Sequence, residues 1–191
     1  MKKANKEPKL RSFVGIKFTL VEQIRPVLNE LEDLALHPQS KLRVAPPDNL
    51  HITLKFLGPI PETQLGAVTS IVSQVVSQHK SMQLRSKGIG FFKSSIWLGI
   101  DNDDALAALA LELDQAFALF GVSPELKAFI PHVTIARFNS DAKIKLSKLI
   151  DKYRETDWGT VEAKEVSLYR SDTLPEGARY TILESYPLII D

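Results

Sequence analysis

Apolar residues recur along this chain at two periods, and the switches between them predict its elements. The short apolar stretch FVGIKF (13–18) predicts a buried strand. Ile24, Val27, Leu28, Leu31 and Leu34 then return every three or four residues, the spacing of one helix face. A segment punctuated by Pro38, Pro46 and Pro47 reads as loop. HITLKF (51–56) alternates with period two and predicts a strand, ended by Gly58, Pro59 and Pro61. Leu65, Val68, Ile71, Val72, Val75 and Val76 mark a second helix, and SMQLRSKGIGFF (81–92) another strand.

The second half repeats this order. IWLGI (96–100) is similar in character to FVGI, and a helix carrying Leu106, Leu109, Ala110, Leu113, Ala116, Phe117 and Phe120 follows it. A loop with Pro124 leads to the strand HVTIARF. Ser140 or Asp141 is placed to cap a further helix whose apolar face is Leu146, Leu149, Ile150 and Tyr153. A strand over 161–169 and a terminal strand in ARYTILESYPLII close the chain. Gly15 and Gly99 are 99 − 15 = 84 residues apart, and His51 and His132 are 132 − 51 = 81 apart. Each half therefore reads strand, helix, His-strand, helix, strand. This is a duplication, expected to fold as two intimately packed lobes about a pseudo-two-fold axis, within one domain spanning residues 1–191.

Such an axis brings equivalent positions face to face, and the equivalent positions here are chemically active. Residues two apart on a strand share a face. Strict alternation points His51, Thr53 and Lys55 one way, with Ile52, Leu54 and Phe56 to the core. It likewise points His132, Thr134 and Ala136 one way, with Val133, Ile135 and Arg137 on the opposite side. Each lobe presents an imidazole beside a hydroxyl, with no carboxylate. Imidazole exchanges a proton near neutrality, so two can act as base and acid in one step. Threonine hydroxyls donate to anionic oxygens. In-line attack on a phosphodiester needs a base, an acid on the far side of phosphorus and donors to the equatorial oxygens. Two opposed His-x-Thr strands supply all three without a metal.

Composition narrows the class. At 191 residues, the chain can bury one substantial core. Hydrophobic residues at 44% and charged residues at 25% fit an ordinary soluble protein. A net charge of +1 gives no global case for a strong nucleic-acid binder, though a local basic patch is compatible with it. The absence of cysteine excludes disulfides, thiol catalysis and Cys-ligated metals, and a cytoplasmic location fits it. MKKANKEPKLR is basic but no apolar stretch follows, so it does not read as a secretory signal, and residues 1–10 are expected to form a mobile tail. No apolar run is long enough to span a bilayer. A zinc hydrolase is disfavoured, because the two histidines lack a third ligand of obvious spacing. Phe91, Phe92 and Trp97 read as core, with an exposed one able to stack a nucleobase, Tyr169 as packing, Tyr169 and Arg170 as neighbours of the cleft, and His37 and His79 as surface histidines, with His79 at a helix end.

NLHITLKFLG (49–58) and PHVTIARF (131–138), with RSFVGIKF and VSLYRSDTLPEGARYTILESYPL in support, resemble the two-histidine (2H) phosphoesterase superfamily. The closest likeness is to its RNA 2′,3′-cyclic phosphodiesterases, also described as 2′-5′ RNA ligases. The resemblance implies an α/β fold of the α+β type, bilobal, with mainly antiparallel sheets around a central cleft and helices outside. It implies opening of RNA 2′,3′-cyclic phosphate ends to 2′-phosphates without a cofactor. It further implies His51 and His132 as the acid–base pair, and Thr53 and Thr134 as phosphate ligands. Arg137 matches an arginine the family often carries after the second motif; it needs a bulge or the strand end to reach the cleft, and a structural ion pair is the competing reading. Where the family often has an aromatic residue before the first motif, this chain has LRVAPPDN. The expected assignment is His132 as base on water and His51 as acid on the 3′-oxygen, in a protein acting as a monomer on RNA ends and away from membranes. Competing readings are a phosphodiesterase for small cyclic nucleotides or ADP-ribose cyclic phosphate, a non-catalytic RNA-end-binding module, and 2′-5′ ligation as a side reaction.

Overall fold

The structure is a computed structural model and describes residues 7–37, 39–101, 104–139, 146–175 and 177–190. Its strands are β1 (Lys9–Lys17), β2 (Leu42–Val44), β3 (His51–Pro61), β4 (Met82–Phe92), β5 (Ser95–Ile100), β6 (His132–Phe138), β7 (Asp157–Ala163), β8 (Glu165–Leu174) and β9 (Gly177–Pro187). Its helices are α1 (Arg25–Ala35), α2 (Leu65–Val76), α3 (Asp104–Leu119) and α4 (Ser147–Tyr153). The apolar stripes predicted for the helices are buried as expected: Val27, Leu28 and Leu31 on α1, Val68, Val72 and Val76 on α2, Leu106, Leu109, Leu113 and Phe117 on α3. The capping residues predicted at 140 and 141 lie outside the described residues.

All nine strands form one sheet in the order β7-β4-β5-β6-β3-β1-β8-β9, with β2 also paired to β6. Every named pairing is antiparallel, so the fold is of the α+β type. The sheet divides into two four-stranded halves, because β3 and β6 meet through a single register pair, Ile52 with Val133. Those two residues are themselves 133 − 52 = 81 apart. The offset that relates the repeats is therefore the offset across the seam, and the pseudo-two-fold axis passes through this pair.

The lobes differ from the contiguous halves expected. β4 ends the first repeat yet pairs with β5 and β7, while β8 from the second repeat pairs with β1. The repeats thus exchange their outer strands. The helices are shared too. Tyr153 on α4 donates to the Glu30 carboxylate of α1 at 2.7 Å, and α3 packs against α2 and β3. This interleaving leaves one continuous core and two lobes that cannot separate.

Five further expectations change. Lys9 and Leu10 are not tail: they extend β1 by pairing with Pro61 and Ile60. β3 does not stop at Gly58; that residue, at φ +71°, lets the strand run on to Pro61. The prolines are tolerated because β3 has left β6 by then and is an edge strand there. Leu42–Val44, expected as loop, is a strand anchored by buried Leu42, too short for periodicity to register. The strand expected over 161–169 is two, β7 and β8, interrupted at Lys164. Sheet register also replaces the Gly15–Gly99 match. Gly15 pairs with Thr53 and Trp97 with Thr134, so Gly15 corresponds to Trp97 at an offset of 97 − 15 = 82.

Candidate active site

β3 and β6 carry matching bulges. Val14 and Gly15 on β1 face Lys55 and Thr53, leaving Leu54 as an extra residue. Ile96 and Trp97 on β5 face Ala136 and Thr134, leaving Ile135 extra. These sites are again 135 − 54 = 81 apart. A bulge reverses which face the following residues occupy. Leu54 and Lys55 are consequently both buried and Phe56 is 58% exposed, against the expected alternation. Ile135 and Ala136 are likewise both buried, and Arg137 is exposed on the face of His132 and Thr134. The bulge that Arg137 needed is present. Ala136, expected beside the histidine, belongs to the core.

Lys55 also departs from expectation. Its ammonium is fully buried and donates to Asp114 at 2.6 Å and to the Ser123 carbonyl at 2.8 Å, with Glu125 at 3.6 Å. It ties β3 to α3 and the following loop, away from the cleft.

The two histidines are held identically. His51 Nδ1 lies 2.6 Å from the Asn49 carbonyl, and His132 Nδ1 lies 2.7 Å from the Ile130 carbonyl. A carbonyl only accepts, so each Nδ1 carries the proton and each Nε2 is left free for chemistry. The seam register, carried one step either way, sets His51 across from Thr134 and Thr53 across from His132 (51 + 134 = 53 + 132 = 52 + 133). Thr53 and Thr134 are half-buried, and neither hydroxyl has a protein partner among the described residues.

Their surroundings differ. The His51 ring packs 4.5 Å from Phe13 and 5.1 Å edge-on to Tyr180, with Tyr169 stacked on Phe13 at 4.7 Å. Gly15 allows this closeness, because a Cβ there would meet the Ile52 carbonyl oxygen at 2.6 Å, with the His51 ring just beyond. Asn49 locks the enclosure: its side chain donates to the Ala178 carbonyl at 2.6 Å and accepts from the Tyr180 N–H at 3.3 Å. Burial pushes the His51 pKa down to about 4, with the Arg137 and His132 charges adding to that effect and the bond to Asn49 opposing it. His132 instead meets Phe92 edge-on at 5.2 Å and Trp97 at 6.2 Å.

Phe91 and Phe92 were expected in the core but are 59% and 38% exposed at the β4–β5 turn, and Trp97 is only half-buried; of the three, Phe92 and Trp97 reach His132. Tyr169 is buried as expected, and Arg170 pairs with Asp172 at 2.8 Å. His79 is mostly covered and meets Glu112 of α3 at 3.0 Å, while His37 is exposed. Tyr180, Phe13 and Asn49 were not anticipated at the site; only the position of Asn49, two before the first histidine, signalled a role. Among the described residues no three His, Asp or Glu side chains converge as a metal site, and no helix is long and apolar enough to cross a membrane.

The interleaved repeats, the central seam and the paired histidines define a two-histidine phosphoesterase architecture. A family model described as the 2′-5′ RNA ligase superfamily matches residues 19–174, and the chain belongs to that family. It is 29% identical over 186 residues to a protein of Methanothermobacter thermautotrophicus named RNA 2′,3′-cyclic phosphodiesterase, covering 94% of this chain and 100% of that one. A protein of the same name from Methanocaldococcus jannaschii is 32% identical over 151 residues, with coverage of 76% and 84%. Among solved structures, a phosphoesterase shares 26% identity at a TM-score of 0.74, covering 94% of this chain and 98% of that one. E. coli LigT in its apo form shares 25% at 0.72, covering 95% and 98%.

Proposed function

We propose that this enzyme hydrolyses RNA 2′,3′-cyclic phosphate ends to 2′-phosphomonoesters by acid–base catalysis from His51 and His132. The observation that carries this is the matched pair of imidazoles, each with Nδ1 committed to the carbonyl two residues earlier and Nε2 without a protein hydrogen-bond partner among the described residues. The names of the relatives supply the substrate class.

Burial of His51 favours the opposite division of labour to the one expected from the resemblance. An acid must arrive protonated, and a group with a pKa of about 4 is protonated in only roughly one molecule in a thousand at pH 7. On this reading His51 is the base and His132, at the more open rim, is the acid. His51 Nε2 takes a proton from water as the water oxygen attacks phosphorus. The bond to the 3′-oxygen breaks, and His132 returns a proton to that oxygen, leaving the phosphate on the 2′-oxygen. Thr53 and Thr134 donate to the non-bridging oxygens, and Arg137 offsets their developing charge. A 5′-hydroxyl in place of water runs the same chemistry toward a 2′-5′ linkage.

The test is incubation with an oligonucleotide ending in a 2′,3′-cyclic phosphate. The expected product is a 2′-phosphate, resistant to alkali and sensitive to phosphatase, and absent with His51→Ala or His132→Ala. A 3′-phosphate product, or full turnover by both variants, would overturn the mechanism. Tight binding without turnover would instead make the protein an RNA-end-binding module.

A further inference from the structure

Beyond the seam pair, β2 takes the place of β3 along the same edge of β6, and this sets Arg43 directly across from Arg137. Cross-strand partners share a face with Cα atoms about 4.5–5.5 Å apart. Two exposed guanidinium groups thus stand side by side at one end of the cleft. Like charges so placed destabilise a sheet unless something anionic joins them. Among the described residues neither arginine has a carboxylate partner. Among the described residues Arg43 donates only to the Pro175 carbonyl, at 3.5 Å, and Asp172 on the same hairpin is already held by Arg170.

The other end of the cleft lacks this feature. The pseudo-two-fold takes Arg137 to Phe56 (137 − 81 = 56), and among the described residues no strand equivalent to β2 lies beside it. A groove of about 480 Å³, lined among others by Phe56, Gln64, Phe120 and Ser123, lies beside Phe56 and offers no cationic side chain. The cationic side chains therefore gather at the Arg137 end, which is the side that suits a polyanion.

We propose that Arg43 binds the internucleotide phosphate next to the cyclic phosphate, so that the enzyme favours RNA chains over isolated nucleoside cyclic phosphates. The inference rests on the proposed function: Arg137 faces the reacting phosphate, and Arg43 its neighbour on the 5′ side. A contact of this kind positions the strand without reading its bases.

The experiment compares kcat/KM for adenosine 2′,3′-cyclic phosphate, for a diadenosine ending in the cyclic phosphate, and for the same dinucleotide with an uncharged methylphosphonate linkage. The native protein should prefer the charged dinucleotide by roughly tenfold and lose that preference with the methylphosphonate. Arg43→Gln should reduce the dinucleotide-to-mononucleotide ratio by a similar factor, lower the salt slope for the dinucleotide by about one, and leave the melting temperature no lower. Arg43→Lys should keep part of the preference. An unchanged ratio in Arg43→Gln, or a native preference that survives neutralisation of the linkage, would overturn the proposal while leaving the cyclic phosphodiesterase reading intact. Turnover of none of the three substrates by the native protein would defeat that reading instead.

Discussion

Replacing Lys55 by methionine separates what the bulge does from what the motif does. The ammonium sits fully buried between Asp114, Glu125 and the Ser123 carbonyl. Methionine fills the volume of the stem, so no large cavity opens. The loss is electrostatic. Burial tends to raise the Asp114 pKa, and the Lys55 ammonium with the Glu125 N–H outweighs it to hold the carboxyl down. Without Lys55 only the Glu125 N–H, at 3.0 Å, still supports that charge. Removing one partner of a buried pair is worth about 3–5 kcal/mol. Asp114 keeps 18% of its side chain exposed and water relieves part of the penalty, so about 2–4 kcal/mol is expected here. Urea unfolding at pH 7 measures it, and the Lys55→Met/Asp114→Leu pair should recover much of the loss because no charge is then stranded. At a temperature where all variants are folded, kcat/KM for a cyclic phosphate should stay within about threefold of native, because Lys55 faces away from the cleft. Native stability with a hundredfold loss of turnover would place the ammonium on the substrate and refute the bulge-based account.

Three other outcomes follow from the site. His51→Ala and His132→Ala should each lose roughly 10²–10⁴ in rate; a substrate with sulfur in place of the 3′-oxygen, whose thiolate leaves unaided, should rescue His132→Ala and not His51→Ala, and the opposite pattern would restore His132 as base. His51 binds its proton less tightly folded than unfolded, so its contribution to stability is full above pH 6.5 and lost as pH falls toward 4, by up to roughly 3 kcal/mol; urea midpoints at pH 4.5 and 7 in native protein and His51→Phe test this, and equal pH dependence in the two would refute it. Gly15→Ala drives a Cβ to 2.6 Å from the Ile52 carbonyl oxygen, so a stability loss of about 1–3 kcal/mol with displaced His51 is expected, and an unperturbed His51 ring in its NMR spectrum would contradict the packing.

Much of the site was legible because it is local. His51 and Thr53 share a face by alternation alone, as do His132 and Thr134, and their common offset announced the seam. The helices were legible for the same reason, since a stripe such as Val27, Leu28 and Leu31 needs no distant partner to be recognised. Reading failed where one inserted residue changes the sense of those that follow. Leu54 and Ile135 are ordinary apolar strand residues, and nothing in their identity marks a bulge. Yet they decide that Lys55 turns inward, Phe56 outward and Arg137 toward the cleft. The enclosure of His51 was hidden for another reason. Tyr180 and Ala178 reach Asn49 across about 130 positions of chain, through a hairpin that the repeat order assigned to the second half. The Gly15–Gly99 match misled because glycine recurs wherever backbones crowd; the true counterpart of Gly15 is Trp97.

That last substitution explains how a two-fold site performs a one-directional reaction. A symmetric pair of imidazoles would share a proton equally and could not be base and acid in fixed order. Here the symmetry is broken around, not within, the motifs. Phe13 in the first lobe corresponds to Ser95 in the second, Gly15 to Trp97, and Asn49 to Ile130. The first member of each pair draws aromatic rings and the β8–β9 hairpin over His51; the second leaves His132 with Phe92 and Trp97 at a partly open rim. Desolvation then lowers the proton affinity of His51, although both rings make the same bond to the same kind of carbonyl. If Arg43 and Arg137 hold the strand as proposed, the polarity of the substrate and the polarity of the proton transfer are set by the same break in symmetry.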